Sequence, residues 1–208
     1  MGSAFYPIQL NIDEQAWPPF AKRMHDQRFN AWKLKVFRRD NYTCQFCGFQ
    51  ASMYMDVLNL DNNYRNNRLS NMVTACPYCS QCFFLEMVGK LDFGGGKVIH
   101  LPDMTQNQLN ALCHVLFCAI ANATDYTAEA QNILNSLRLR ANVVEDQLGK
   151  NLSDPSMLAQ MIIDTPFDDK PNVQKNLLKD LRLLPSKKCF AKQIEQWARI
   201  ALQENQTS

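Results

Sequence analysis

The chain has 208 residues, of which 46% are hydrophobic and 20% are charged. This composition excludes an intrinsically disordered chain, and a net charge of +2 does not by itself indicate nucleic acid, an acidic partner or a membrane surface. No apolar run is long enough to span a bilayer and the first residues lack the regions of a secretory signal, so we expect a cytoplasmic protein with reduced cysteines.

The N-terminal region predicts an aromatic arm followed by a basic helix. Residues 5–12 (FYPIQLNI) predict a short strand in an arm that packs on the body, and Pro18-Pro19 is expected to end it. Residues 22–39 are basic with interleaved aromatic side chains and predict a helix that ends near Asp40. Such a stretch can bind phosphate groups, although a solvated helix face is the simpler interpretation.

Two Cys-x-x-C pairs, Cys44/Cys47 and Cys76/Cys79, carry the strongest signal in the sequence. A spacing of two lets both sulfurs of a pair face one ion, and four thiolates form a tetrahedral zinc site. We therefore predict one structural zinc ion held by these four residues, with Gly48 in the positive-φ conformation of a zinc knuckle.

The remaining cysteines are predicted to be structural. Cys82 is an alternative ligand, although packing on a helix is the preferred interpretation. Cys113, Cys118 and Cys189 lie in apolar helical patterns and are expected to be buried as small hydrophobic residues.

The region between and after the cysteine pairs predicts a strand, a polar loop and a helix. Residues 54–60 form the strand, residues 61–71 the loop, and Ser70 or Asn71 is expected to cap a helix over 76–88. Gly94, Gly95 and Gly96 predict a flexible hinge. The hinge divides the chain into an N-terminal arm with the zinc-binding core (1–96) and a helical region packed on it (97–208), unless both form a single domain.

The second half is predicted to be mostly helical after a short strand at 97–101. Thr105-x-x-Gln108 is a capping box that opens one helix, and a second runs from Thr127 to about residue 149. Asp154-Pro155 caps and opens a third helix. Two more are expected to begin at Pro171 and Ser186.

The cysteine segment resembles the zinc-ribbon-bearing HNH nucleases. RRDNYTCQFCG, then a strand, a polar loop, SNMVTACPYC and a helix, is similar to their ββα-metal order. The resemblance implies an α+β fold with an HNH-like zinc-bound core and a mostly helical C-terminal half. On that pattern Leu58 occupies the position of a metal-binding Asp or His, and Asn59 that of the general-base His. Asn71 matches the middle Asn that orients the loop, and Ser80 or Gln81 matches the final His or Asn.

These replacements remove the chemistry that the resemblance would otherwise imply. An amide does not accept a proton from water near neutral pH, and Leu offers no metal ligand. His25, His100 and His114 all lie outside the motif in the sequence, and His100 and His114 are expected to be structural. We therefore expect a pseudo-nuclease with no catalytic residue.

Over its full length, the chain also resembles a family of components of the Dot/Icm type IVB secretion systems. That resemblance implies a zinc-stabilised, non-catalytic adaptor in the coupling-protein complex, recruited to the cytoplasmic face of the inner membrane. Its implied partners are the C-terminal region of the coupling ATPase and the adaptor proteins IcmS and IcmW, and its implied task is to help recruit effector proteins. The alternatives are a metal-dependent HNH-type DNA endonuclease with a displaced catalytic group, and a DNA-binding zinc module without catalysis.

Overall fold

The structure, a computed structural model, describes residues 5–166 and 170–206. Over these residues the fold is α+β, as predicted, with two small antiparallel sheets among the helices. None of the described helices combines the length and the apolarity that crossing a membrane requires. In chain order the elements are α1 (Trp17–His25), α2 (Asn30–Arg39), β1 (Asp56–Asn59), β2 (Met72–Ala75), α3 (Pro77–Ser80), β3 (Gly96–His100), α4 (Gln106–Ala121), α5 (Thr127–Leu148), α6 (Pro155–Ile163), α7 (Lys170–Leu178), β4 (Leu181–Pro185) and α8 (Ala191–Gln206).

The first sheet is a hairpin of β1 and β2, which pairs Asp56 with Ala75 and Asn59 with Met72. All four residues of β2 are buried. The predicted helix over 76–88 is wrong as a continuous element, because α3 is only four residues long and two 3-10 turns follow it. Backbone groups of this segment hydrogen-bond to the N-terminal arm instead: the N–H of Asn11 donates to the carbonyl of Cys82, and the N–H of Leu85 donates to the carbonyl of Asn11.

The prolines and the basic stretch are organised differently from the prediction. Pro18 and Pro19 open α1 instead of ending the arm, since proline at the first helical positions forfeits no hydrogen bond. Asp26, with an extended backbone and a carboxylate that accepts from the N–H of Arg28, divides the expected helix into α1 and α2. The arm itself packs on the body as predicted, burying Ile8 and Leu10, but residues 5–12 form no regular strand.

The second sheet joins β3 to β4, which pairs Gly96 with Pro185 and His100 with Leu181. The predicted strand at 97–101 is confirmed, whereas β4 was not predicted and α8 begins at Ala191 rather than Ser186. The capping box of Thr105 and the N-cap of Asp154 are both present. These local signals correctly place the starts of α4 and α6.

At Gly95 and Gly96 the backbone crosses close to the segment that contains Leu184 and Cys189. A Cβ atom at Gly95 would lie 2.5 Å from the Sγ of Cys189, and one at Gly96 would collide with the carbonyl of Leu184. The N–H of Gly95 donates to the Oε1 of Gln81. Buried hydrophobic side chains before and after this crossing belong to one continuous cluster. The division of the chain at residue 96 stays a prediction.

Candidate metal centre

The first cysteine pair lies in a tight knuckle directly after α2. Asn41 and Tyr42 turn the chain with positive φ angles of 50° and 53°, and Gly48 has a φ of 79°. The N–H of Gly48 donates to the carbonyl of Cys44 at 3.0 Å. The predicted positive φ angle of Gly48 is confirmed.

The second pair lies where β2 passes into α3. Cys76 is the N-cap residue of α3, and its carbonyl accepts from the N–H of Cys79 at 3.0 Å. The knuckle is tied to β2 by a bond of 2.9 Å from the N–H of Gln45 to the carbonyl of Thr74. The hairpin therefore holds the two pairs against each other.

The four predicted cysteines form one cluster, here called the cysteine cage: Cys44, Cys47, Cys76 and Cys79. Their sulfur atoms all lie within 4.8 Å of one another. Tetrahedral zinc with Zn–S bonds of about 2.3 Å places sulfurs about 3.8 Å apart, so a cage of this width fits the ion. Four thiols without histidine or carboxylate are the donor set of a closed structural zinc site.

Burial and mutual hydrogen bonding set the protonation of the cage. Burial alone would raise the pKa of Cys44, but hydrogen bonds from the other cage thiols outweigh it and hold that pKa well below its ordinary value. Burial together with the neighbouring thiols raises the pKa values of Cys76 and Cys79. A divalent cation would favour ionisation of all four, because coordination deprotonates a thiol.

The cysteines outside the cage differ in their surroundings. Cys82 is buried and donates to the carbonyl of Tyr78 at 3.2 Å, so it packs on the helical segment as preferred. Cys113 is buried as predicted, and burial raises its pKa to about 12. The predictions for the other two are wrong, because Cys118 is only partly buried and Cys189 is exposed. The helical pattern assigned to Cys189 does not form, since α8 starts after it.

Two residues of α4 contact the cage, and the sequence prediction missed both. The Nδ2 of Asn110 donates to the Sγ of Cys79 at 3.3 Å, and the Nε2 of His114 lies 3.3 Å from the Sγ of Cys76. Residues four apart lie on the same face of a helix, so one turn of α4 covers the cage. Polar residues at this spacing in a largely apolar helix were the available signal.

The ring of His114 is held in place by two aromatic neighbours. It stacks on Phe49 with ring centroids 3.6 Å apart and on Tyr78 at 4.2 Å. Burial lowers the pKa of His114 to about 3, so the imidazole is neutral near pH 7. If a bound cation ionised Cys76, a neutral ring protonated on Nε2 would donate to that sulfur and orient it as a metal ligand. His114 is thus a structural residue, as expected, but one that belongs to the site.

The positions that match the HNH catalytic residues are buried at the end of β1. Leu58 is fully buried and Asn59 is 1% exposed. The Oδ1 of Asn59 accepts from the Nη1 of Arg23 at 2.8 Å. Its Nδ2 donates to the carbonyls of Asn63 and Asn66 at 2.7 and 2.8 Å. Both amide protons and the amide oxygen of Asn59 are therefore engaged in holding the loop that follows β1.

Arg23 is a further buried residue that the sequence did not single out. Besides Asn59, it donates to the carbonyl of Val57 at 3.1 Å, and its guanidinium lies 4.0 Å from the ring centroid of Phe29. Burial lowers the pKa of Arg23 to about 10. Among the described residues it makes no ion pair, so backbone and amide oxygens are its partners.

Asn71 and Ser80 also make structural hydrogen bonds. Asn71 exchanges bonds with Asp61 and donates to the carbonyl of Asn66, and these bonds fix the loop. The capping role proposed for Asn71 or Ser70 is wrong, because β2 and not a helix follows them. Ser80 is buried, and its hydroxyl donates to the carbonyl of Cys76 at 3.1 Å.

Comparison with known proteins identifies the family. No protein-family model matches the chain. Over 197 residues, however, the chain is 51% identical to the type 4 apparatus protein DotN of Legionella pneumophila, and this alignment covers 95% of the chain and 92% of that relative. The chain belongs to the DotN family. The resemblance seen over the whole sequence was to DotN, also called IcmJ, and it is confirmed. Membership of the DotN family does not test the HNH-like core, which stays a prediction.

Proposed function

We propose that this protein is a zinc-stabilised, non-catalytic adaptor subunit of a type IVB secretion coupling-protein complex. The relative that is 51% identical over nearly the whole chain is a type 4 apparatus protein, which supports the assignment to a secretion system. The absence of catalysis rests on one observation, the three hydrogen bonds that occupy the amide of Asn59 at the position of the HNH general base.

The fold is proposed to derive from an HNH-like core. β1, the polar loop, β2 and α3 follow one another in the order that the resemblance implies, and the cysteine cage closes on one side of this unit. The positions that would carry catalysis hold Leu58 and Asn59, both buried. The scaffold is retained, while the end of β1 is buried and the amide of Asn59 there is fully hydrogen-bonded. This combination supports the interpretation as a pseudo-nuclease.

The cysteine cage would hold one zinc ion as a structural cross-link. Such an ion contributes its binding free energy to folding, because the unfolded chain has no preformed site. The chain's own residues orient the ligands: Asn110 and His114 contact two of the sulfurs, and Gly48 shapes the knuckle. The cage has no open coordination position to offer a substrate if all four thiolates bind.

The proposed partners are the C-terminal region of the coupling ATPase and the adaptor proteins IcmS and IcmW, at the cytoplasmic face of the inner membrane. Purification of the natively expressed protein from its own cells, followed by mass spectrometry, tests this assignment. We expect the coupling ATPase among the recovered proteins. Recovery of nucleic acid without any secretion component would contradict the proposal.

A plasmid-nicking assay with Mg²⁺ or Mn²⁺ tests the absence of catalysis. We expect no cleavage by the zinc-loaded protein. Cleavage that persists through purification and is abolished by Asn59→Ala would establish a nuclease. Cys189→Ser serves as the matched control, because this exposed thiol lies outside the cage and its loss leaves the strand end intact.

A further inference from the structure

Positive charge is concentrated in the segment that forms α1 and α2. Residues 17–42 contain seven Lys or Arg and two Asp, so this segment carries +5 while the rest of the chain carries −3. Arg23 is buried, and Arg28 and Arg39 pair with aspartates, so the positive charge open to a ligand comes from the remaining cations of this segment. A local excess of this size is sufficient to favour an anionic partner.

The exposed side of α2 has a definite pattern of charge and apolar surface. Val36 and Phe37 are buried and define the inward side of the helix. At 100° per residue, Lys35 and Arg38 point in the opposite direction, and Trp32 and Leu34 lie on the two flanks, about 160° apart. Trp32 is 40% exposed and Leu34 is 46% exposed. We call these four residues the α2 ridge: Trp32, Leu34, Lys35 and Arg38.

The central cations of the ridge are available to a ligand. Arg28 and Arg39, by contrast, are engaged, since they pair with Asp26 and Asp40 at 3.1 and 2.8 Å. Neither Lys35 nor Arg38 makes an ion pair within residues 5–166 and 170–206. The ammonium of Lys35 lies 4.9 Å from the ring centroid of Trp32, which pre-positions it beside an exposed aromatic surface.

We propose that the α2 ridge binds an acidic segment of a protein partner, with carboxylates on Lys35 and Arg38 and apolar side chains against Trp32 and Leu34. This inference rests on the proposed function in that it assumes a protein partner. Trp and Arg are the residue types that most often anchor protein interfaces. The cations at the centre of the ridge would fix the position of the acidic segment, and the apolar surface on either side would give it further contacts.

The arrangement favours a protein over the two other anionic partners. A helix that lies on a membrane carries its apolar residues along one face, with cations at the sides, whereas the ridge has cations at the centre and apolar residues on opposite flanks. A nucleic-acid surface uses aromatic side chains to stack bases and cations to hold phosphates. Trp32 and Leu34 lie about 160° apart and therefore do not form one apolar face for a bilayer. Leu34 also offers no aromatic surface on which a base could stack.

Fluorescence anisotropy with the full-length, zinc-loaded protein tests the proposal. The probe is a labelled synthetic peptide in which Glu residues alternate with Leu, and a poly-Glu peptide of equal length is the comparison. We expect the Glu/Leu peptide to bind more tightly than poly-Glu. Lys35→Glu with Arg38→Glu should weaken its binding at least about tenfold, and Trp32→Ala should weaken it severalfold.

The matched control is Lys188→Glu with Lys192→Glu, which changes the net charge equally at two exposed positions outside the ridge. Retention of peptide binding by this control supports the ridge, and an equal loss overturns it as a specific site. Tighter binding to short duplex DNA or to phosphatidylserine vesicles, lost on the same ridge substitutions, would assign the ridge to those ligands and overturn the proposal. No binding of the Glu/Leu peptide would overturn it as well.

Co-purification separates this inference from the proposed function. If the coupling ATPase is recovered equally with the wild-type protein and with the Lys35→Glu, Arg38→Glu variant, the proposed function stands and the ridge does not bind that partner. If the peptide assay supports the ridge but no secretion component is recovered, the proposed function fails and the ridge remains a binding site for acidic segments.

Discussion

Arg23→Met tests whether the end of β1 is a structural anchor. The substitution keeps a long unbranched side chain, but it removes the guanidinium over Phe29 and the bonds to Asn59 and Val57, which measure 2.8 and 3.1 Å. A buried acceptor that loses its partner costs about 1–3 kcal/mol. Relief from burying a guanidinium, the cause that lowers the pKa of Arg23 to about 10, offsets part of this loss. We expect a net destabilisation of about 2–3 kcal/mol.

Urea denaturation of the zinc-loaded protein, followed by circular dichroism, measures this change. The melting temperature should fall by about 4–12 °C, since a chain of this size loses about 2–4 °C per kcal/mol. Arg28→Met is the matched control, because Arg28 is exposed and its bonds with Asp26 lie at the surface, and no measurable change is expected. A loss below about 0.5 kcal/mol for Arg23→Met would show that Asn59 is held without it and would refute the anchor.

Three further predictions concern the cage and a buried carboxyl. Cys44→Ser should abolish stoichiometric zinc binding and unfold the first half, measured by metal analysis and thermal melting, whereas Cys189→Ser should change neither. His114→Phe keeps the ring stack and removes the contact with Cys76, so zinc affinity should fall about tenfold or more in a chelator competition; unchanged affinity would refute that role. Burial raises the pKa of Glu86 from 4.5 to about 7, so the folded chain holds a proton that the unfolded chain has released, and stability falls as pH rises through this window. Glu86→Gln should therefore gain stability relative to wild type as pH rises from 4.5 to about 7 in thermal melts.

The parts of the site that were predictable from sequence depend on short-range chemistry. Cysteines separated by two residues can both face one ion, and Gly48 follows because a knuckle needs a positive φ angle. The caps of α4 and α6 are equally local, since Thr105 and Asp154 bond N–H groups two or three residues ahead of them. Such features require no knowledge of distant residues.

The errors arise where a distant segment decides the outcome. The helix expected over residues 76–88 is interrupted because the backbone of Asn11 hydrogen-bonds to Cys82 and Leu85. The sequence of residues 76–88 gives no sign of this distant partner. β4 forms because it pairs with β3, which is more than eighty residues away in the sequence. His114 was set aside for lying outside the cysteine motif, yet α4 brings its ring against the cage.

On the proposed HNH-like core, the hydrogen bonds of Asn59 predict that Asn59→His alone would not create a catalytic centre. The amide offers two donors and one acceptor, and all three are used, by two carbonyls and by Arg23. A neutral imidazole has one donor and one acceptor, so Asn59→His leaves at least one carbonyl without a partner. The buried guanidinium of Arg23 would also repel a divalent cation at this strand end, and Leu58 provides no ligand to compensate. For the proposed HNH-like centre we therefore expect that changes at all three positions would be needed, since Arg23 and Asn59 already satisfy each other's hydrogen bonding.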